Sequence, residues 1–204
     1  MEELARAETI DGYRGKCSSC PLNFLSRKNH VYLPWMDQSL ALQFQQPGEK
    51  IVIMNPTAEG GMPHTRPPNI IAIPAYFPPN KMESTLKHER MHLHQRNYPS
   101  IWEARARADG WTKVNELAIP ASLLRRTRLN PDTCWSRFWA WEGEWVPLAL
   151  FLREDKPELH EIVIRWYNLK SGTSTSAIPS SFTRKYGSLS PSAMEHPFEL
   201  WAYN

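Results

Sequence analysis

The chain has 204 residues, 41% of them hydrophobic and 22% charged, with a formal net charge of +3. That is enough for one folded domain, and the small charge does not call for nucleic acid or a membrane surface as partner. No apolar run approaches the roughly 20 residues that span a bilayer, the N-terminus MEELARAETIDGYRG has no apolar signal core, and three cysteines are an odd number for a disulfide scaffold. The expectation is a cytoplasmic protein.

In chain order, residues 1–30 read as a polar, loop-rich segment around Cys17-Ser-Ser-Cys20-Pro21. Residues 35–46, WMDQSLALQFQQ, read as a short helix with Asp37 as cap. Ile51–Met54 is a strand candidate, and 55–68, with Gly60-Gly61 and several prolines, is a loop. Asn69–Pro74, rich in β-branched residues between prolines, is a buried strand. A helix follows from about Met82 to Gln95, uninterrupted until Pro99, and a basic helix from about Ser100 to Trp111. Residues 131–147 are rich in Trp. Val146–Leu152 and His160–Leu169 read as strands of a hairpin joined by the charged turn Arg153–Glu158. Residues 171–192, rich in Ser, Thr and Pro, read as irregular, and Pro197 suits the first position of a closing helix.

The chemistry concentrates at His88-Glu89-Arg90-Met91-His92. Residues four apart share one helix face, so both imidazoles can reach one metal ion. Glu89 projects nearby, where it can hold and deprotonate a zinc-bound water whose pKa the metal has lowered. Imidazole ligands suit Zn²⁺ better than Mg²⁺ or Ca²⁺. A catalytic zinc needs a third protein ligand. Glu199 is the first choice, on the closing helix with the small Ala202 nearby; Glu195, His196, Glu103 and the Cys17/Cys20 pair are alternatives. His94 points away from His92 on a helix.

Other candidates surround this motif. Arg66 has the fork to grip a substrate carboxylate, and His64 can steady an oxyanion. Tyr203 and Tyr186 offer phenols for a tetrahedral intermediate. Trp139 and Trp141 can line a substrate pocket. Arg105, Arg107, Arg125, Arg126 and Arg128 form a basic stretch, read as a solvated face or as a grip on an anionic partner.

His88-Glu89-x-x-His92 resembles the HExxH zinc metallopeptidases, the zincins, and Glu195-His-Pro-x-Glu199-x-x-Ala202 resembles the glutamate-ligand helix of their gluzincin branch. A longer match, in Pro63–Arg66, Ile70–Pro74 and Thr85–Arg96, is similar to zinc metallopeptidases of large DNA viruses and microbial eukaryotes. The resemblance covers about 60–97 and 194–203. It implies one Zn²⁺ per chain on His88, His92 and Glu199, Glu89 as catalytic base, and a peptide or protein substrate. The closing ligand helix departs from the branch in having five residues after Glu199 where such helices run further.

The expected fold is α+β: a single zincin-like domain over 1–204, with a small mixed or antiparallel sheet packed on the zinc-bearing helix. The expected activity is zinc-dependent hydrolysis of a peptide amide bond. Two other readings stand beside it. One is an enzyme of the same fold acting on a specialised small molecule or forming a bond; the other is a non-catalytic zinc-containing module that binds an anionic partner.

Overall fold

The computed structural model describes residues 2–31 and 43–203. The helix expected at 35–46 falls mostly outside them. The chain forms two compact units, one from Met1–Asn97 and Leu129–Trp135, the other from Tyr98–Arg128 and Ser136–Asn204. The architecture is α+β, as expected.

The first unit is a three-stranded mixed sheet between helices. Strand β1 (Lys50–Met54) pairs in parallel with β3 (Ile70–Pro74), and β2 (His64–Arg66) pairs antiparallel with the other edge of β3. The buried strand expected at 69–74 is the central one, which explains its unbroken burial. Alternation sorts its neighbours by face. Ile51, Ile53, Ile71 and Ile73 pack with Met82, Leu86 and Leu93 of the long helix α4 (Pro79–Asn97). Val52, Ile70, Met54 and Ala72 pack with Leu4 or Ala7 of the opening helix α1 (Glu2–Asp11).

The N-terminal segment corrects the reading of 1–30 as loop. It forms α1, α2 (Tyr13–Ser19) and α3 (Pro21–Arg27). Their apolar periodicity is weak because few residues of each are buried. Helix formers such as Glu, Leu, Ala and Arg favour α1 locally, and Gly12, at φ 57°, turns the chain from α1 into α2. Polar tertiary bonds do much of the fastening. Arg27 pairs with Glu59 inside the unit, and its guanidinium also donates to Asn23 and to the carbonyl of Leu129. The expected loop at 55–68 likewise contains a 3-10 turn (Ala58–Gly61) and β2.

The second unit is a five-stranded antiparallel meander: β4 (Trp111–Lys113), β5 (Trp139–Trp141), β6 (Trp145–Phe151), β7 (Ile162–Asn168) and β8 (Ser174–Thr175). The hairpin of β6 and β7 is the one expected from the charged turn. Helix α5 (Pro99–Ala108) precedes β4, so Trp111, expected at a helix end, begins a strand instead. A short helix α6 (Ala121–Leu124) follows β4. The segment 171–192, expected to be irregular, holds β8 and α7 (Ser180–Tyr186), whose Phe182 inserts among Trp111, Trp141 and Trp166. The chain closes through α8 (Pro191–Met194) and α9 (Pro197–Ala202). No helix of the described residues is long and apolar enough to cross a membrane.

Candidate metal centre

Helix α4 explains where its two histidines lie. It starts at Pro79 and contains no glycine. Met82, Leu86 and Leu93, spaced by four and seven residues, turn one stripe of it onto the β1–β3 face. Glu89, His92 and Gln95 are also buried, although they are polar. A polar stripe inside a helix costs free energy unless its groups find partners.

His88 and His92 lie one turn apart, edge to face, with ring centroids 4.7 Å apart and planes at 76°. Their Nε2 atoms face each other at 3.1 Å. Two imidazole nitrogens on one tetrahedral zinc, with bonds of 2.0–2.1 Å, lie roughly 3.3 Å apart. The pair is thus spaced as a metal would require. On the far side of His92, which is 0% exposed, Nδ1 lies 2.8 Å from Oε1 of Gln95. An amide oxygen can only accept, so His92 donates from Nδ1 and keeps its lone pair on Nε2. Gln95 is a member of this cluster that reading the motif did not single out. The signal available was an acceptor three residues after a ligand histidine, on the same helix face.

Glu89 follows His88 directly and is 3% exposed. Arg90, on the other side of the helix, is fixed by Glu49: its Nε and Nη2 donate to the carboxylate at 2.9 and 2.7 Å, and these bonds hold its pKa above the usual value. Arg90 thus braces α4 and takes no place beside the imidazoles. His94 is exposed.

Glu199 lies in α9 of the second unit and is 3% exposed. His196 caps this helix: its Nδ1 accepts from the Phe198 amide at 3.1 Å, and its Nε2 donates to the Ser136 carbonyl at 2.7 Å. Both ring nitrogens are engaged, so His196 is no longer a ligand candidate. Glu195 is bound to Arg128 at 2.6 Å. Glu103 pairs with Arg107 and Lys113. Glu199 is therefore the C-terminal carboxylate with the burial a ligand position asks for.

Cys17 and Cys134 are buried and Cys20 partly buried in one apolar cluster with Tyr13 and Leu129, all three as free thiols. Burial pushes the Cys17 thiol up to about 11 and the Cys134 thiol above its usual range. Neither has the lowered pKa of a thiol poised for metal or nucleophilic chemistry.

Of the remaining candidates, all but Tyr203 have structural surroundings. Arg66, 2% exposed, donates to both carboxylate oxygens of Asp11 and to Glu8. Its fork, expected to grip a substrate carboxylate, ties β2 to α1 instead. His64 is buried on β2 with Nδ1 3.2 Å from the Met62 carbonyl, and desolvation lowers its pKa, so it is a neutral imidazole. Trp139 and Trp141, expected to line a pocket, are buried: Trp139 donates to the Ser136 carbonyl and stacks near Phe198, while Trp141 donates to Ser181 and packs on Trp111 and Phe182. Tyr186 donates to Asp109 and accepts from Trp111. Tyr203 follows α9 and is 54% exposed.

No protein-family model, no curated protein and no solved structure matches this chain.

Proposed function

We propose that the chain is a zinc-dependent amide hydrolase of zincin type that acts on a peptide. The observation that carries this reading is the His88–His92 pair, with two Nε2 atoms 3.1 Å apart and the lone pair of His92 set by Gln95. Glu199 is proposed as the third ligand. His88, His92 and Glu199 are each donors of the types that catalytic zinc takes, the first partly buried and the other two buried.

Bound zinc supplies a Lewis acid that polarises the scissile carbonyl and lowers the pKa of water toward neutrality. Glu89 does the proton work. Its carboxylate orients a water molecule, accepts a proton as the water oxygen adds to the carbonyl carbon, and returns that proton to the leaving amine nitrogen as the C–N bond breaks. His88 and His92 stay neutral and position the ion. Tyr203 is the exposed phenol proposed to donate to the developing oxyanion.

The anionic-partner reading finds less support. Arg107 pairs with Glu103, Arg126 with Glu154 and Arg128 with Glu195, while Arg105 lies over the rings of Trp102 and Trp201. These four arginines have partners within their own unit.

Glu89→Gln tests the proposal. It keeps the volume of the side chain and removes the base. Peptide-library hydrolysis should fall by about 10²–10⁴-fold with zinc content unchanged. Hydrolysis at the wild-type rate by the variant would remove Glu89 from the mechanism.

A further inference from the structure

We propose that Gln95 is a positioning residue that sets the tautomer of His92 and thereby tunes how tightly the ion is held. The proposal rests on the reading of His92 as a ligand. Two observations support it. The contact is short, 2.8 Å from Nδ1 to Oε1, and both side chains are buried, so water competes poorly for either atom. The spacing of three residues also keeps acceptor and ring on one helix face, where backbone geometry holds them together.

The chemistry follows from the type of acceptor. An imidazole left to itself exchanges its proton between two nitrogens, and only the form protonated on Nδ1 offers Nε2 to a metal. Gln95 selects that form. Because Gln95 is neutral, it polarises the N–H less than a carboxylate would, and the ring stays a weaker base than in a carboxylate–histidine pair. Gln95→Glu therefore adds charge at nearly constant shape, and Gln95→Met removes the acceptor at similar length.

Two readouts test the proposal. The first is the two-bond ¹H–¹⁵N correlation of the His92 ring in metal-free protein at mildly alkaline pH. The second is the zinc dissociation constant from competition with a chelator. In the wild type, His92 should be protonated on Nδ1. Gln95→Met should yield a mixture of tautomers and weaken zinc binding by about 10–100-fold. Gln95→Glu should keep the Nδ1 proton and bind zinc at least as tightly as the wild type. A merely structural role for Gln95 would move neither the tautomer nor the rescue by Glu. A wild-type ring protonated on Nε2, a Met variant with unchanged tautomer and affinity, or a Glu variant as weak as the Met one would each overturn the proposal. Failure of the wild type to bind zinc would sink the metal reading by itself, while the metal-free spectrum still decides the Gln95 contact.

Discussion

His92 and His88 turn their Nε2 atoms toward each other at 3.1 Å, across one turn of a helix whose apolar stripe is seated on a sheet. Two nitrogens at this distance share either one proton or one metal ion. In the metal-free protein, His88 can donate its proton to the Nε2 lone pair of His92. A metal has to take that proton's place: neutral His88 then carries its proton on Nδ1, and any second proton held by the pair is released. Only neutral imidazoles bind a metal, so zinc affinity should fall as the solution is made acidic. Chelator competition at a series of pH values checks this; affinity independent of pH from 5 to 8 would contradict it.

Arg66 and Asp11 form the buried pair that ties β2 to the first helix. Removing one partner leaves an uncompensated charge, so Arg66→Met should cost about 3–5 kcal/mol of stability by urea denaturation. Burial alone would raise the Asp11 pKa, but the hydrogen bonds and charge of Arg66 outweigh it and hold the carboxyl below its usual 3.8. The sign follows by linkage. A carboxylate depressed in the folded state contributes stability above its unfolded pKa and loses it as pH falls through the folded value. The wild type should therefore lose stability below about pH 4, and Arg66→Met should lose less over the same window.

Burial of Cys17 and Cys134, with their raised thiol pKa values, predicts uneven reactivity. Cys20 should react with a maleimide in the native protein, and the other two only on unfolding. Mass spectrometry after brief labelling reads this; equal labelling of all three in folded protein would contradict the packing of that cluster.

Gly110 occupies φ 106°, and a Cβ built there would lie 3.2 Å from the ring of Trp141. Gly110→Ala should destabilise the second unit by about 1–3 kcal/mol through strain and overpacking. A stability within a few tenths of the wild type would show that the ring yields freely.

The parts legible in the sequence are those with strong local signals. The Ile-rich strands 51–54 and 70–74, the hairpin of 146–152 with 160–169, and the helix bearing His88 and His92 follow from period, composition and turn residues. The N-terminal helices were not legible, because they hold their places largely through Arg27, Glu8 and Asp11, whose partners lie 32 to 58 residues away. The same cause misled the reading of Arg66 and the tryptophans. A charged fork or an indole looks functional in one dimension until the fold supplies Asp11 or Phe182. The motif itself was readable since it is a one-helix feature. Gln95 escaped because its place in the cluster shows only in which ring nitrogen it faces.

The central claim is that His88 and His92 hold zinc. Its most direct test is elemental analysis of protein purified without a metal-binding tag, for the wild type and for His88→Ala, Glu89→Gln and Glu199→Ala. The account predicts about one zinc per chain in the wild type and Glu89→Gln, and loss of zinc in His88→Ala and Glu199→Ala. A wild type without zinc, or zinc that survives removal of His88, would contradict it.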